Sequence, residues 1–303
     1  MAYKVPGSLG IIEFAKETVF GTLPVAGWRY LGCMRSLDTT DDPGAETIPS
    51  DGSRIFSDVI FTARDCKFSG EMSIFRDQPP YTWTDLLELA SGSVAGSSSK
   101  MQDDIPSFSA VVKIAADQYM LAKGCKISEL TLSAEGAGKQ VRASVSVLAR
   151  EITEQQVSRS ALGVSGTAPS SPVTPPVTYT AYPASTIPGL AAIPSMSFSL
   201  KISNNLTAKE GFAGNDALLA GAGIVPGAVD IDFELKVMSV SKIWDTLKRG
   251  GTKGFTSSIT LDGWKIDLKN AYLPGDDQPS RSHEVYDETI KIKAADLSYI
   301  KVV

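Results

Sequence analysis

The chain has 303 residues, 43% of them hydrophobic and 21% charged, and carries a formal net charge of −5. That length allows one large domain or two ordinary ones. The acidic balance argues against a protein that grips nucleic acid, which needs a basic face to displace counterions from phosphates. It leaves room for DNA that the protein surrounds without holding. No run approaches the roughly 18 apolar residues of a membrane span, so no membrane partner is expected.

The first 22 residues lack a long apolar stretch and carry acidic residues early, which is not the pattern of a signal peptide. Three cysteines, Cys33, Cys66 and Cys125, with no CxxC pair, predict reduced thiols in a protein folded in the cytosol. Cys66 falls on an apolar strand face and reads as a buried thiol rather than a ligand or nucleophile.

Each half of the sequence opens on a strand followed by a long polar excursion. In the first half, Met34 to Ile55 carries Asp38, Asp41, Asp42, Glu46 and Asp51 against Arg54. Loops this long are often binding or lid elements. The acidic cluster lacks the alternating ligand spacing and closing Glu of an EF-hand, so no metal site is expected. Next, "CKFSGEMSI" places Cys66, Phe68, Gly70, Met72 and Ile74 on one face, with Lys67, Ser69 and Glu71 on the other. Period-two alternation over nine residues predicts a half-buried strand. Trp83, Leu86, Leu87 and Ala90 then follow helical spacing, and Gly92 supplies a C-terminal cap. A hairpin from Phe108, turning near Ala116-Asp117, and a strand through Val141, Ala143, Val145 and Val147 complete this half.

From Ser158 to Pro194 the chain holds seven prolines and few charges, which predicts an extended linker draped over one of the halves. Residues 1–157 and 195–303 are then two domains joined by residues 158–194.

The second half repeats the first. Its polar excursion, Phe198 to Gly227, carries Asn204, Asn205, Lys209 and Glu210. "VDIDFELKV" alternates as "CKFSGEMSI" does, 163 positions on, with Asp230, Asp232 and Glu234 on its polar face. "KIWDTLKRGG", Lys242 to Gly251, reads as a second short helix with Asp245 matching Asp85 and Gly250 as cap. A hairpin turning at Asp262-Gly263 and a strand through Ile290 and Ile292 follow. Tyr119 and Trp264 take matching places in the two hairpins. Five paired elements in one order predict a duplicated, mainly β fold, with two tandem sandwich or barrel modules and one short helix in each.

No catalytic constellation accompanies these elements. His283 is the one histidine and lies in polar text. There is no GxSxG elbow. GAGIVPG lacks the dinucleotide fingerprint spacing, and KRGGTKG lacks the GK[ST] of a P-loop. No catalytic, cofactor-binding or metal-ligating residue is assigned, and no cofactor is expected.

The opening "IIEFAKETVFGTLPVAGWRYLG", Ile11 to Gly32, resembles the start of tail tube proteins of long-tailed bacteriophages through Lys16, Glu17, Thr18, Phe20, Gly21, Thr22 and Trp28. The order of strands and short helix in each half is similar to that fold; the long Pro/Ser-rich linker departs from it. The resemblance implies a non-enzymatic virion protein assembled in the host cytoplasm. A duplicated subunit would form trimeric, pseudo-sixfold rings whose strands join edge to edge around a channel. Rings would stack into a conduit for DNA ejection, with tail terminator, tape-measure and distal tail proteins as further partners. Each helix would then cover the outside of the barrel wall. The excursion residues Asp38, Asp41, Asp42, Glu46, Asp51, Arg54, Asn204, Asn205, Lys209 and Glu210 are candidates for contacts between rings. Lys67, Ser69, Glu71, Asp230, Asp232 and Glu234 are candidates for the channel face, and they equally suit an ordinary solvated face. A different class, a β-rich receptor- or carbohydrate-binding module, would use Tyr119 and Trp264 as sugar platforms.

Overall fold

The computed structural model describes the chain apart from residues 1–9, 43–44, 50–55, 62–64, 97–100, 102–103, 116–117, 157, 171, 180–194, 210–222, 240–252, 275–285 and 303. Almost all its regular structure is β. In the first half the strands are β1 (Gly10–Lys16), β2 (Arg29–Met34), β3 (Asp38–Asp42), β4 (Ala45–Pro49), β5 (Phe56–Phe61) and β6 (Asp65–Ser73). The helix α1 (Asp85–Ser91) follows, then β7 (Phe108–Ala115), β8 (Gln118–Ala134), β9 (Arg142–Ala149) and β10 (Glu151–Gln156).

Six of these strands close on themselves. β1 pairs with β2 and β7, β7 with β8, β8 with β9, β9 with β6, and β6 with β2. The result is a closed six-stranded barrel with no raw edge of its own. β8 is the longest strand, and its backbone bends at Gly124, which sits at φ +62. Before the bend it lies between β7 and β10; after it, between β9 and β11 (Ser195–Ser203).

β11 carries the sheet into the second half. There β12 (Thr207–Lys209) and β13 (Gly223–Val225) form a small hairpin, as β4 and β5 do in the first half. β14 (Asp230–Ser239), β15 (Lys253–Leu261), β16 (Trp264–Tyr272), β17 (Tyr286–Ala294) and β18 (Asp296–Lys301) complete the chain. Asp262 and Gly263, both at positive φ, make the two-residue turn between β15 and β16.

Part of the pairing order recurs in the two halves, though β1 and β2 have no described counterpart. β3–β6–β9–β8–β7, with β10 also on β8, is matched by β11–β14–β17–β16–β15, with β18 also on β16. Registers correspond too. Asp38↔Ser69 and Lys201↔Asp232 are related by 163 positions on both strands. Gly70↔Val145 and Phe233↔Ile292 correspond as well. Both hairpins carry a bulge just after their first phenylalanine, Phe108 or Phe255.

One apolar core runs through both halves, from Phe14, Met72 and Phe108 to Phe233, Ile266 and Leu297. The helix corrects an expectation. It is shorter than the sequence pattern, starting at Asp85, and ends at Gly92 in the left-handed conformation as expected. Leu86, Leu87, Leu89 and Ala90 are all fully buried, and the second half covers the helix. There the Asn204 amide donates to the Ala90 carbonyl, and the Tyr299 hydroxyl donates to that of Ser93. The proposed second helix and its Gly250 cap lie outside the described residues.

The proline-rich segment drapes over the first barrel through residue 179. Leu162 and Val164 pack on Val111 and Leu121, while Val177 and Tyr179 enter the main core. Arg159 is buried against Glu13 at 2.9 Å and lies over the Trp28 ring.

The polar sheet face as candidate functional site

The alternation in β6 buries Cys66, Phe68 and Met72 and turns Lys67, Ser69 and Glu71 outward. Gly70 is required because a Cβ there would sit 2.1 Å from the Ser36 carbonyl, where the chain crosses from β2 to β3. β14 repeats the pattern, with Asp230, Asp232 and Glu234 outward and Ile231, Phe233 and Leu235 inside.

Antiparallel partners share a face, so the ladder shows how far this polar surface extends. One row reads Glu71, Ser144, Thr131, Lys201, Asp232, Lys293, crossing β6, β9, β8, β11, β14 and β17 without a break. A second reads Asp38, Ser69, Ser146, Glu129, Ser203, Asp230. The two sets of channel candidates, far apart in sequence, therefore lie on one continuous face backed by the common core.

Among the side chains described on this face, charges of both signs are interspersed. Lys67, Arg142, Lys201, Lys236, Lys291 and Lys293 are met by Asp38, Glu71, Glu129, Asp230, Asp232 and Glu234. Arg142–Glu71 at 3.1 Å, Lys201–Glu129 at 2.8 Å and Lys293–Asp232 at 3.2 Å are formed ion pairs. Its hydrogen bond to Asp232 and the charge of that carboxylate raise the Lys293 pKa. Such half-exposed pairs contribute little stability.

The other candidates fall differently. Asp38, Asp41 and Asp42 belong to a strand paired with β6, not to a loop. Glu46 lies on β4 and Lys209 on β12, whereas Asp51, Arg54 and Glu210 lie outside the described residues. Asn204 is fully buried, its amide donating to the carbonyls of Ala90 and Ile127, which removes it from any surface contact. Asn205 is exposed at φ +44 and bonds Ala228 and Asp230. Trp264 is 7% exposed, stacks on Tyr299 and donates its indole N–H to Asp77 at 2.8 Å. Tyr119 packs against the Leu162 cluster. The buried Trp264 offers no sugar platform.

The KET–FG opening is explained by three contacts. Lys16 pairs with Glu88 on α1. Glu17 accepts from the N–H of Gly21, the N–H of Gly124 and the hydroxyl of Ser109, at 2.8, 2.8 and 2.6 Å. Phe20 covers Gly124, so the motif clamps β8 at its bend. Sequence reasoning missed Asp77, which joins the halves by accepting from Trp264 and Lys301. It also missed β18, although Leu297 and Tyr299 alternate. Cys66 and Cys125 are buried and Cys33 half-buried, and the three form no disulfide. Among the described residues no cluster of His, Cys, Asp or Glu is placed to hold a metal ion, and no helix is long and apolar enough to cross a membrane.

A closed β-barrel extended into a wider sheet with one polar face defines a mainly β protein. A family model described as phage tail tube protein matches residues 7–263, and the chain belongs to that family. It is a structural component of a virion tail. A search of curated proteins finds no match.

Proposed function

We propose that this chain is the major subunit of a phage tail tube, with three copies closing each ring and the polar face lining a conduit for DNA. The observation that carries this reading is the unbroken polar face of mixed charge shared by the two halves. DNA is a dense line of phosphates, and a wall that neutralised many of them would hold it. A lining whose cations are already met by carboxylates lets it slide.

The corresponding strand order and registers support a duplicated subunit, with residues 1–157 and 195–303 as modules and 158–194 between them. Three such chains present six modules, which gives the pseudo-sixfold ring. The β4–β5 and β12–β13 pairs form two-stranded sheets separate from the main one, which suits contacts to the next ring. Assembly takes place in the host cytoplasm with terminator, tape-measure and distal tail proteins, and the channel serves genome ejection. Negative-stain microscopy of the purified protein is the test. Tubes of uniform width are expected. Compact monomers at every concentration, with or without the tape-measure and initiator proteins, would sink the reading.

A further inference from the structure

The barrel carries a small second core on its outside. Glu13, Val111, Leu121 and Thr153 lie in one row across β1, β7, β8 and β10. Ala110, Val112, Met120 and Ala122 point the other way, into the main core. Leu162 and Val164 close over Val111 and Leu121, with Leu23, Trp28 and Tyr119 at the margin. The sheet itself separates this satellite cluster from the main one.

Two short segments form the covering. Residues 158–166 make a compact turn, in which the N–H groups of Leu162 and Val164 donate to the Arg159 carbonyl and that of Gly163 to Ser160. Residues 22–27 lie against it. The Ser165 hydroxyl donates to the Val25 carbonyl at 2.8 Å, and Leu23 packs beside Gly163. Arg159 ties both segments to the wall. Its Nε donates to Glu13, and its Nη1 donates to the carbonyls of Ser165 and Gly166 at 3.2 and 2.5 Å. Its guanidinium lies 5.4 Å from the centre of the Trp28 ring, where the loop enters β2. Gly21 and Gly27, at φ +74 and +85, bracket residues 22–27 as hinge points. The base of the loop is held separately, by Glu17 on Ser109 and Gly124.

We propose that residues 22–27 and 158–166 are a cover that opens from the barrel wall as one unit, with Arg159 as its pin. Opening unseats one buried ion pair and a few apolar side chains, while the far larger main core stays closed. Segments with so few buried contacts open at free energies well below that of global unfolding. Without Arg159, Glu13 would be a buried carboxylate deprived of its partner, which makes the closed state costly. Opening bares Val111, Leu121 and Tyr119, so the wall carries an apolar strip that shows only when the pin is out. The device belongs to the single chain and stands whether or not tubes form.

Hydrogen exchange on the whole chain, followed in rising urea below the unfolding transition, tests this. The N–H groups of Thr22, Leu162, Gly163 and Val164 are hydrogen-bonded in or beside the cover and report its opening. All four should share one protection factor that urea leaves nearly unchanged, whereas β7 amides should be far more protected and steeply urea-sensitive. Arg159→Met keeps an apolar stem and removes the guanidinium. It should speed exchange at all four amides by one common factor of at least about tenfold. Cover amides as protected and as urea-sensitive as β7 in the wild type would overturn the proposal. So would no acceleration in the variant, or acceleration at 162–164 with Thr22 unchanged. If the variant fails to fold, the wild-type series decides alone, since unequal protection at the four amides would also end the idea of one unit.

Discussion

Glu17 shows how a short motif can matter through partners the sequence does not reveal. Its carboxylate gathers three donors from positions 21, 109 and 124. Removing it leaves those donors to compete for water in a half-buried site, so Glu17→Ala should cost about 3 kcal/mol in chemical denaturation. Glu17→Gln, which keeps one acceptor, should cost about half as much. Asp85 offers a pH signature. Burial raises its pKa to about 6 even with Arg29 at 3.1 Å, and one carboxyl oxygen has no partner. An unfolded Asp titrates near 3.9, so the folded chain keeps a proton that the unfolded chain releases between these values. The stability this gives is full below about pH 4 and is lost as pH rises through about 6. Urea unfolding should show the wild type losing up to about 3 kcal/mol relative to Asp85→Asn between pH 4 and 7. Parallel stability profiles for the two proteins would refute the assignment.

At the level of elements, legibility followed periodicity. β6, β9, β14 and β17 alternate over eight to ten residues and were readable as strands. β3, with the text DTTDD, was not, since only a pairing partner makes such residues a strand. The helix was legible from its apolar spacing and capping glycine, but its burial was not. A single sequence cannot show that residues after 195 cover a helix near 88. The hairpin arm was legible as far as Ile127, but its continuation to Ala134 was not, and Gly124 within it is a bend held by Glu17 and Phe20. A Cβ at Gly124 would lie 2.7 Å from Arg150 Cβ, and its φ of +62 disfavours any L side chain. Gly124→Ala should therefore destabilise by about 2 kcal/mol or more, read as a lowered denaturation midpoint at unchanged slope.

For the whole molecule, the mixed charge of the polar face makes a measurable difference. Wild-type protein should not retard DNA in gels at about 0.15 M salt, because its cations are already met. Glu71→Lys, Asp232→Lys and Glu234→Lys together should create binding that weakens steeply as salt rises, with a slope of about −0.9 per phosphate engaged. Tight, salt-sensitive DNA binding by the wild type would contradict a passive wall. The polar positions on β6 and β14 were visible in the sequence. Their union into one surface was not, because it depends on β8 meeting β11.

That meeting has a consequence for the way the polypeptide comes apart. Residues 129–134 finish the sheet of a region that begins some sixty positions later, so neither portion is whole alone. Bisecting the gene within the proline-rich stretch would not release two tidy fragments. It would strip a partner from the first product and a supporting strand from the second, exposing sticky backbone on both. The shared strand β8 ties the two regions together, and urea unfolding is expected to show one cooperative transition.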